Sequence, residues 1–273
     1  MPAMSFRRPP IRLVVFDWAG TTIDHGCFAP VAAFIQAFTL HHVEVTVAEA
    51  RGPMGLHKRD HLAAMLQSAD VGRRWQRAHG RDWNEQDLDA LYHDFIPLQL
   101  EVIDRHGRLV PGLLDCVSQL QKQGVRIGAT TGYFRAAAER VYQAARNQGF
   151  LPEHCVCAED VPVGRPAPWM IFRVMEALRI YPPAAVVKVG DTVPDIEEGL
   201  AAGVWSIGVT SSSSEVGCTE DELAHLPEGE RCRRLAAARA KLLGTGAHAV
   251  IDSLAELPSL LDQISSGESV LGA

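Results

Sequence analysis

Four short segments place acids, hydroxyls and a cation among small residues, each near the end of an apolar run. The first is Phe16-Asp17-Trp18-Ala19-Gly20-Thr21-Thr22. An aspartate here can present its carboxylate to an electrophile while the loop amides face an anion; taken alone it reads equally well as a turn or helix-cap aspartate. The second, Gly128-Ala129-Thr130-Thr131-Gly132-Tyr133, offers hydroxyls and turn amides to a phosphoryl oxygen. By itself it is also an ordinary strand-to-helix turn. In the third, Gly164-Arg165-Pro166-Ala167-Pro168, a guanidinium could bridge an attacking carboxylate and a phosphoryl group. In the fourth, Val189-Gly190-Asp191-Thr192-Val193-Pro194-Asp195, Asp191 suits a hard cation and Asp195 can support it from the following helix. Two acids, hydroxyls and a cation at one edge of a sheet outline a phosphate and Mg²⁺ site.

A fifth segment, Glu49-Ala50-Arg51-Gly52-Pro53-Met54-Gly55-Leu56-His57-Lys58-Arg59-Asp60-His61, lies far from these in sequence. Lys58 is flanked by His57 and Arg59, with His61 three residues on, on the same helical face. Neighbouring cations and burial both lower a lysine's pKa, and imine formation requires the neutral amine. On spacing alone the same run is a solvated basic turn.

The elements that must position these groups are legible from periodicity. Six short apolar runs, at 13–18, 126–130, 155–159, 186–191, 205–210 and 249–253, alternate with helix-like stretches. Strands buried on both faces read as near-continuous apolar runs, so the fold class is α/β with a parallel sheet. More than a hundred residues separate the first two runs, and their apolar spacing is helical at 31–39, 58–67 and 87–103. This reads as an inserted helical domain bounded by the loops 21–30 and 104–112. We expect a core of 1–23 and 108–273 and an insert of 24–107. The serine patch 211–214 reads as a loop, and 211–243 suggests no role. Gly244-Thr245-Gly246 follows a helix, so it is no dinucleotide fingerprint.

In this order and context the four motifs resemble those of the haloacid dehalogenase superfamily. That resemblance implies a Rossmann-like core with a helical cap, Asp17 as nucleophile, Thr131 as phosphate-binding hydroxyl, Arg165 as the third-motif cation and Asp191 as a Mg²⁺ ligand. Phosphatases of the superfamily carry a general acid two residues after the nucleophile; that position is Ala19. With Cys27-Phe28-Ala29-Pro30 and Pro53-Met54-Gly55-Leu56-His57-Lys58 added, residues 11–257 resemble the phosphonatase (phosphonoacetaldehyde hydrolase) family. The family resemblance implies a Schiff base on Lys58, proton transfer by His61, and a site lined by Met54, Cys27 and Tyr133. It also implies Mg²⁺ held by Asp17, Ala19 and Asp191 with support from Asp195, a phosphonate substrate, and a homodimer formed through the caps. His57 departs from the apolar residue expected there. The alternative activity is that of a phosphate-ester phosphatase or sugar phosphate mutase of the same superfamily.

Composition sets the remaining bounds. A formal charge of -7 disfavours nucleic acid as a partner. The first apolar run is too short for a membrane span or signal peptide. Six cysteines without a secretory signal read as reduced thiols in a cytoplasm, Cys155 and Cys157 as strand residues rather than metal ligands.

Overall fold

The computed structural model describes residues 9–266; the opening arginines Arg7 and Arg8 lie outside them. In chain order the elements are β1 (Leu13–Phe16), then five helices, α1 (Phe28–Leu40), α2 (Val47–Arg51), α3 (Lys58–Gln67), α4 (Ala69–His79) and α5 (Glu85–His106). There follow α6 (Leu113–Lys122), β2 (Arg126–Thr131), α7 (Arg135–Asn147), β3 (His154–Cys157), α8 (Trp169–Ala177), β4 (Val186–Gly190) and α9 (Val193–Ala201). The chain continues through β5 (Trp205–Val209), α10 (Glu220–His225), α11 (Glu228–Gly244), β6 (Ala249–Ile251) and α12 (Leu257–Ser266).

The six strands form one parallel sheet in the order β3-β2-β1-β4-β5-β6. Each coincides with an apolar run of the sequence, and Cys155 and Cys157 are strand residues of β3. Alternation along β1 divides its side chains: Leu13 and Val15 pack with α8, while Val14 and Phe16 join the larger core with residues of α6 and α7. Strand order turns back at β1 and β4, so the crevice beyond their carboxyl ends is where a ligand is expected.

The insert is a helical layer built on α1 against α5, with α3 and α4 beside them. Phe34 and Phe95 stack at 4.6 Å in its interior. Periodicity missed α2 and α4. Helix α2 has only five residues, held by a capping box between Thr46 and Glu49, and α4 buries just Val71 and Trp75. The chain's way into the insert and its way out are tied together: Asp24 N–H donates to Arg108 C=O at 3.1 Å, and Val110 N–H to Thr22 C=O at 2.8 Å. Asp24 also accepts from the amides of Phe28 and Ala29, which fixes the start of α1.

Candidate active site

Asp17 follows β1 directly and donates its N–H to Val189 C=O at 2.9 Å, which continues the sheet pairing and aims the side chain over the edge. The next residues fold back sharply, the amides of Thr21, Thr22 and Ile23 all donating to Trp18 C=O. This turn needs Gly20: its φ is +88°, and a Cβ there would lie 2.4 Å from Asp191 Oδ2. Asp191, just past β4, accepts from the Thr21 hydroxyl at 3.1 Å and from the Ser214 amide at 2.8 Å.

Arg165 binds three acids at once: Asp17 at 2.8 Å, Asp195 at 2.9 Å and Glu198 at 2.9 Å. Lys188, in the middle of β4, reaches Asp195 at 2.9 Å and Glu198 at 3.4 Å. Thr130 completes the cluster: its hydroxyl accepts from Arg165 and Lys188 at 2.9 Å each and donates to Glu198 at 3.3 Å. Asp195 Oδ2 accepts from the Thr192 amide and hydroxyl, so both of its oxygens are engaged within the protein.

Four buried carboxylates thus face two buried cations. Burial raises the pKa of Asp17, and Asp195 adds to this against the opposing charges of Arg165 and Lys188. Asp191 is pushed well above the carboxylate range by burial and by Asp17 and Asp195. Asp195 is lowered despite its burial, because Arg165 and Lys188 bracket it. Carboxylate oxygens of Asp17, Asp191 and Asp195 lie within 4.8 Å of one another. Hard oxygen donors with an excess of two formal negative charges fit a divalent cation such as Mg²⁺. Ala19 borders the same space and could offer only its main-chain oxygen.

The insert closes over this edge. One small cavity is lined from the core by Asp17, Ala19, Thr131, Gly132, Tyr133, Arg165 and Thr192, and from the insert by Cys27, Pro30, Met54, Gly55 and Lys58. Contact across the seam is tight: a Cβ on Gly132 would lie 2.6 Å from Leu56 O and 2.8 Å from Gly55 O. Lys58 opens α3, is 4% exposed, and holds its Nζ 4.8 Å from the Tyr133 ring centre and 5.7 Å from that of Phe34. Its pKa is lowered to about 8, first by burial and then by Arg165, against the pull of Asp17 and Asp191. The flanking cations expected to do this are turned elsewhere. Arg59 pairs with Glu85 and Asp89 at 2.7 Å each on the surface, and His57 Nδ1 lies 3.9 Å from Asp60.

His61 is fully buried but sits behind Lys58, outside the cavity lining. Its ring stacks on Phe34 at 3.8 Å, and Nε2 lies 3.0 Å from Ala50 C=O, which can only accept, so Nε2 carries the hydrogen. Nδ1 is then a bare acceptor without a hydrogen-bond partner. Burial and Lys58 hold the imidazole pKa well down. Burial also keeps the Cys27 thiol neutral. Thr131 Oγ1 accepts from the Tyr133 amide at 3.1 Å and borders the cavity, whereas Thr130 points down into the ionic cluster. Asp160, which also follows a strand, stays out of the site: it pairs with Arg135 and caps the Cys157 amide.

Sequence reasoning passed over Lys188, Glu198 and the Ser212–Ser214 backbone. A lysine inside the buried run Val186-Val187-Lys188-Val189-Gly190 was the available signal, since a central strand tolerates a cation only with partners. Glu198 stands three residues from Asp195 on the same face of α9.

Residues 11–203 match the family model of haloacid dehalogenase-like hydrolases, and 162–257 match a second model for HAD-hydrolase-like chains. A phosphonoacetaldehyde hydrolase of Syntrophobacter fumaroxidans is 44% identical over 256 residues, covering 94% of this chain and 92% of that one. One from Bacillus cytotoxicus is 39% identical, covering 96% and 99%. The crystal structure of a phosphonoacetaldehyde hydrolase-like protein from Oleispira antarctica superposes with a TM-score of 0.94 at 37% identity, over 98% of this chain and 99% of that one. With its Asp17 loop, ionic cluster and lysine-bearing insert, this chain belongs to the phosphonoacetaldehyde hydrolase family of haloacid dehalogenase-like hydrolases.

Proposed function

We propose that the protein hydrolyses the carbon–phosphorus bond of phosphonoacetaldehyde, giving acetaldehyde and phosphate, with 24–107 acting as a cap over the core. The observation that carries this is the shared cavity: Asp17 from the sheet and a desolvated Lys58 from the insert line one space. Ala19, where an ester hydrolase would need an acid, lines it too.

Breaking a C–P bond leaves an electron pair on carbon, and a protonated imine is the sink for that pair. The neutral Lys58 amine adds to the aldehyde carbonyl, water leaves, and the imine nitrogen takes up a proton from solvent to give the protonated imine. Tyr133, Met54 and Cys27 shield it from solvent, while the Thr131 hydroxyl and Arg165 hold the phosphonate in line with Asp17. Asp17 attacks phosphorus; the C–P electrons pass into an enamine on Lys58, and an acyl phosphate forms on Asp17. Asp17, the Ala19 oxygen and Asp191, with Asp195 in support, would hold Mg²⁺, which when bound would supply charge neutralisation for the phosphoryl oxygens. Water cleaves the acyl phosphate. The proton released as water cleaves the acyl phosphate passes to the enamine carbon, relayed by the bare Nδ1 of His61, and hydrolysis of the resulting imine releases acetaldehyde and restores the amine.

Borohydride added during turnover is expected to leave a reduced two-carbon adduct on Lys58, located by mass mapping, and none in Lys58→Ala. A protein that turns over phosphonoacetaldehyde without that adduct would remove the mechanism. The same reading has the protein as a cytoplasmic homodimer joined through the caps, which sedimentation velocity checks. Among the described residues no helix is long and apolar enough to cross a membrane.

A further inference from the structure

The loop after β5 has no role in the reaction as derived, yet four parts of the molecule converge on it. Ser212 Oγ donates to Gly20 C=O at 2.7 Å, in the nucleophile turn. Ser212 C=O accepts from the Gly26 amide at 2.8 Å, in the connection into the insert. Ser214 N–H holds Asp191 Oδ2 at 2.8 Å. The carbonyl of the same residue, Ser214, accepts from Arg51 Nη1 at 2.8 Å, and that nitrogen also donates to Gly26 C=O at 2.6 Å.

Arg51 is the last residue of α2 and so travels with the insert. Its guanidinium lies 5.3 Å from the Phe28 ring centre, and a Cβ on Gly217 would come within 3.0 Å of its Cζ. The loop is therefore shaped around this side chain.

We propose that Arg51 is a positioning residue that couples closure of the insert to divalent-cation binding at Asp191. With the insert closed, Arg51 fixes Ser214 through its carbonyl, and the Ser214 amide fixes the carboxylate. When the insert swings away, Ser214 loses its charged partner, and one of the two hydrogen bonds that orient Asp191 is left on an unanchored loop. Coupling is reciprocal: a cation at Asp191 must then favour the closed insert, the arrangement that brings Lys58 over Asp17. This inference rests on the metal reading of the proposed function, and reads out without turnover.

The test is Mn²⁺ titration of the full chain, following the free-ion electron paramagnetic resonance signal, with no substrate present. Arg51→Ala is expected to raise the Mn²⁺ Kd about fivefold or more, the low end of the usual range for coupled sites. Arg51→Lys, which keeps the charge but not the fork, should fall between. Arg81→Ala, which removes an ion pair with Asp87 within the insert, should leave the Kd unchanged. Hydrogen exchange supplies the reciprocal reading: Mn²⁺ should protect 24–28 in the wild type and fail to do so in Arg51→Ala. A folded Arg51→Ala with the wild-type Kd overturns the proposal; if that variant does not fold, an unchanged Kd in Arg51→Lys does the same. Wild-type protein that binds no Mn²⁺ would remove the metal reading and this proposal with it, an outcome distinct from equal binding by both proteins.

Discussion

A lysine amine attacks a carbonyl only when unprotonated, and the protein can arrange this by cations or by desolvation. The sequence suggested both, with His57 and Arg59 flanking Lys58 as the cations. The structure relies chiefly on desolvation, with Arg165 across the cavity assisting and Arg59 occupied at the surface. With the pKa at about 8 rather than 10.5, the neutral fraction at pH 7 is about a tenth rather than about one in three thousand. The sign follows: lowering the pH protonates the amine. The rate of cyanoborohydride trapping at low substrate should therefore climb about tenfold per pH unit below pH 8 and level off above it. A rate still climbing towards pH 10 would show a lysine left in its ordinary state. Asp17 and Asp191 pull this pKa upward, so offsetting their charge with Mg²⁺ should move the midpoint to lower pH, and adding chelator should move it back.

At the scale of elements, the insert works by meeting the core along one seam. Gly132 is the close point. A methyl group added there would push on the main chain of Gly55 and Leu56, which cannot rotate aside. We expect Gly132→Ala to hold the insert slightly off the core, lowering kcat on phosphonoacetaldehyde about a hundredfold, as a displacement near 1 Å can. The fold itself should survive with a loss of about 1–3 kcal/mol. Steady-state kinetics beside thermal melting separates the two effects, and unchanged kcat would mean the seam is not closed during turnover. The sequence read the six strands well for a physical reason: a parallel strand covered on both faces has few residue types to choose from. It read α2 and α4 poorly because a five-residue helix leaves no periodicity and α4 has only Val71 and Trp75 to repeat. The site divided similarly. Asp17, Asp191 and Arg165 stand beside Gly and Pro punctuation. Glu198 sits in a helix middle, and Ser214 acts through its backbone, which side-chain type does not encode. His61 was readable as a partner of Lys58, but not that Phe34 would hold it behind the amine.

Across the whole molecule, the core accepts an electrostatic imbalance at one edge of its sheet. Asp17, Asp191, Asp195 and Glu198 outnumber Arg165 and Lys188 by two charges, in a chain already carrying -7 overall. Without a metal ion, Asp17 and Asp191 therefore hold their protons above the usual range for aspartate. Across that interval the folded state binds more protons than the unfolded one, and stability falls as the pH rises through the folded-state pKa values. Below the unfolded value of 3.8 the penalty is absent; above the folded values it is present in full. A divalent cation held by this cluster would displace those protons and bind only the folded state. Its stabilisation must then be small where both carboxyls are protonated and grow with pH as they ionise. Thermal melts with Mg²⁺ and with chelator, across pH 5 to 8, should show two curves that diverge towards higher pH, the chelated protein falling away. In Asp191→Asn one of the two ionising ligands is gone, so the divergence should shrink and Mg²⁺ should add little at any pH. Parallel curves in the wild type would mean that the ion gains nothing from these carboxylates, and that the excess charge is offset in some other way.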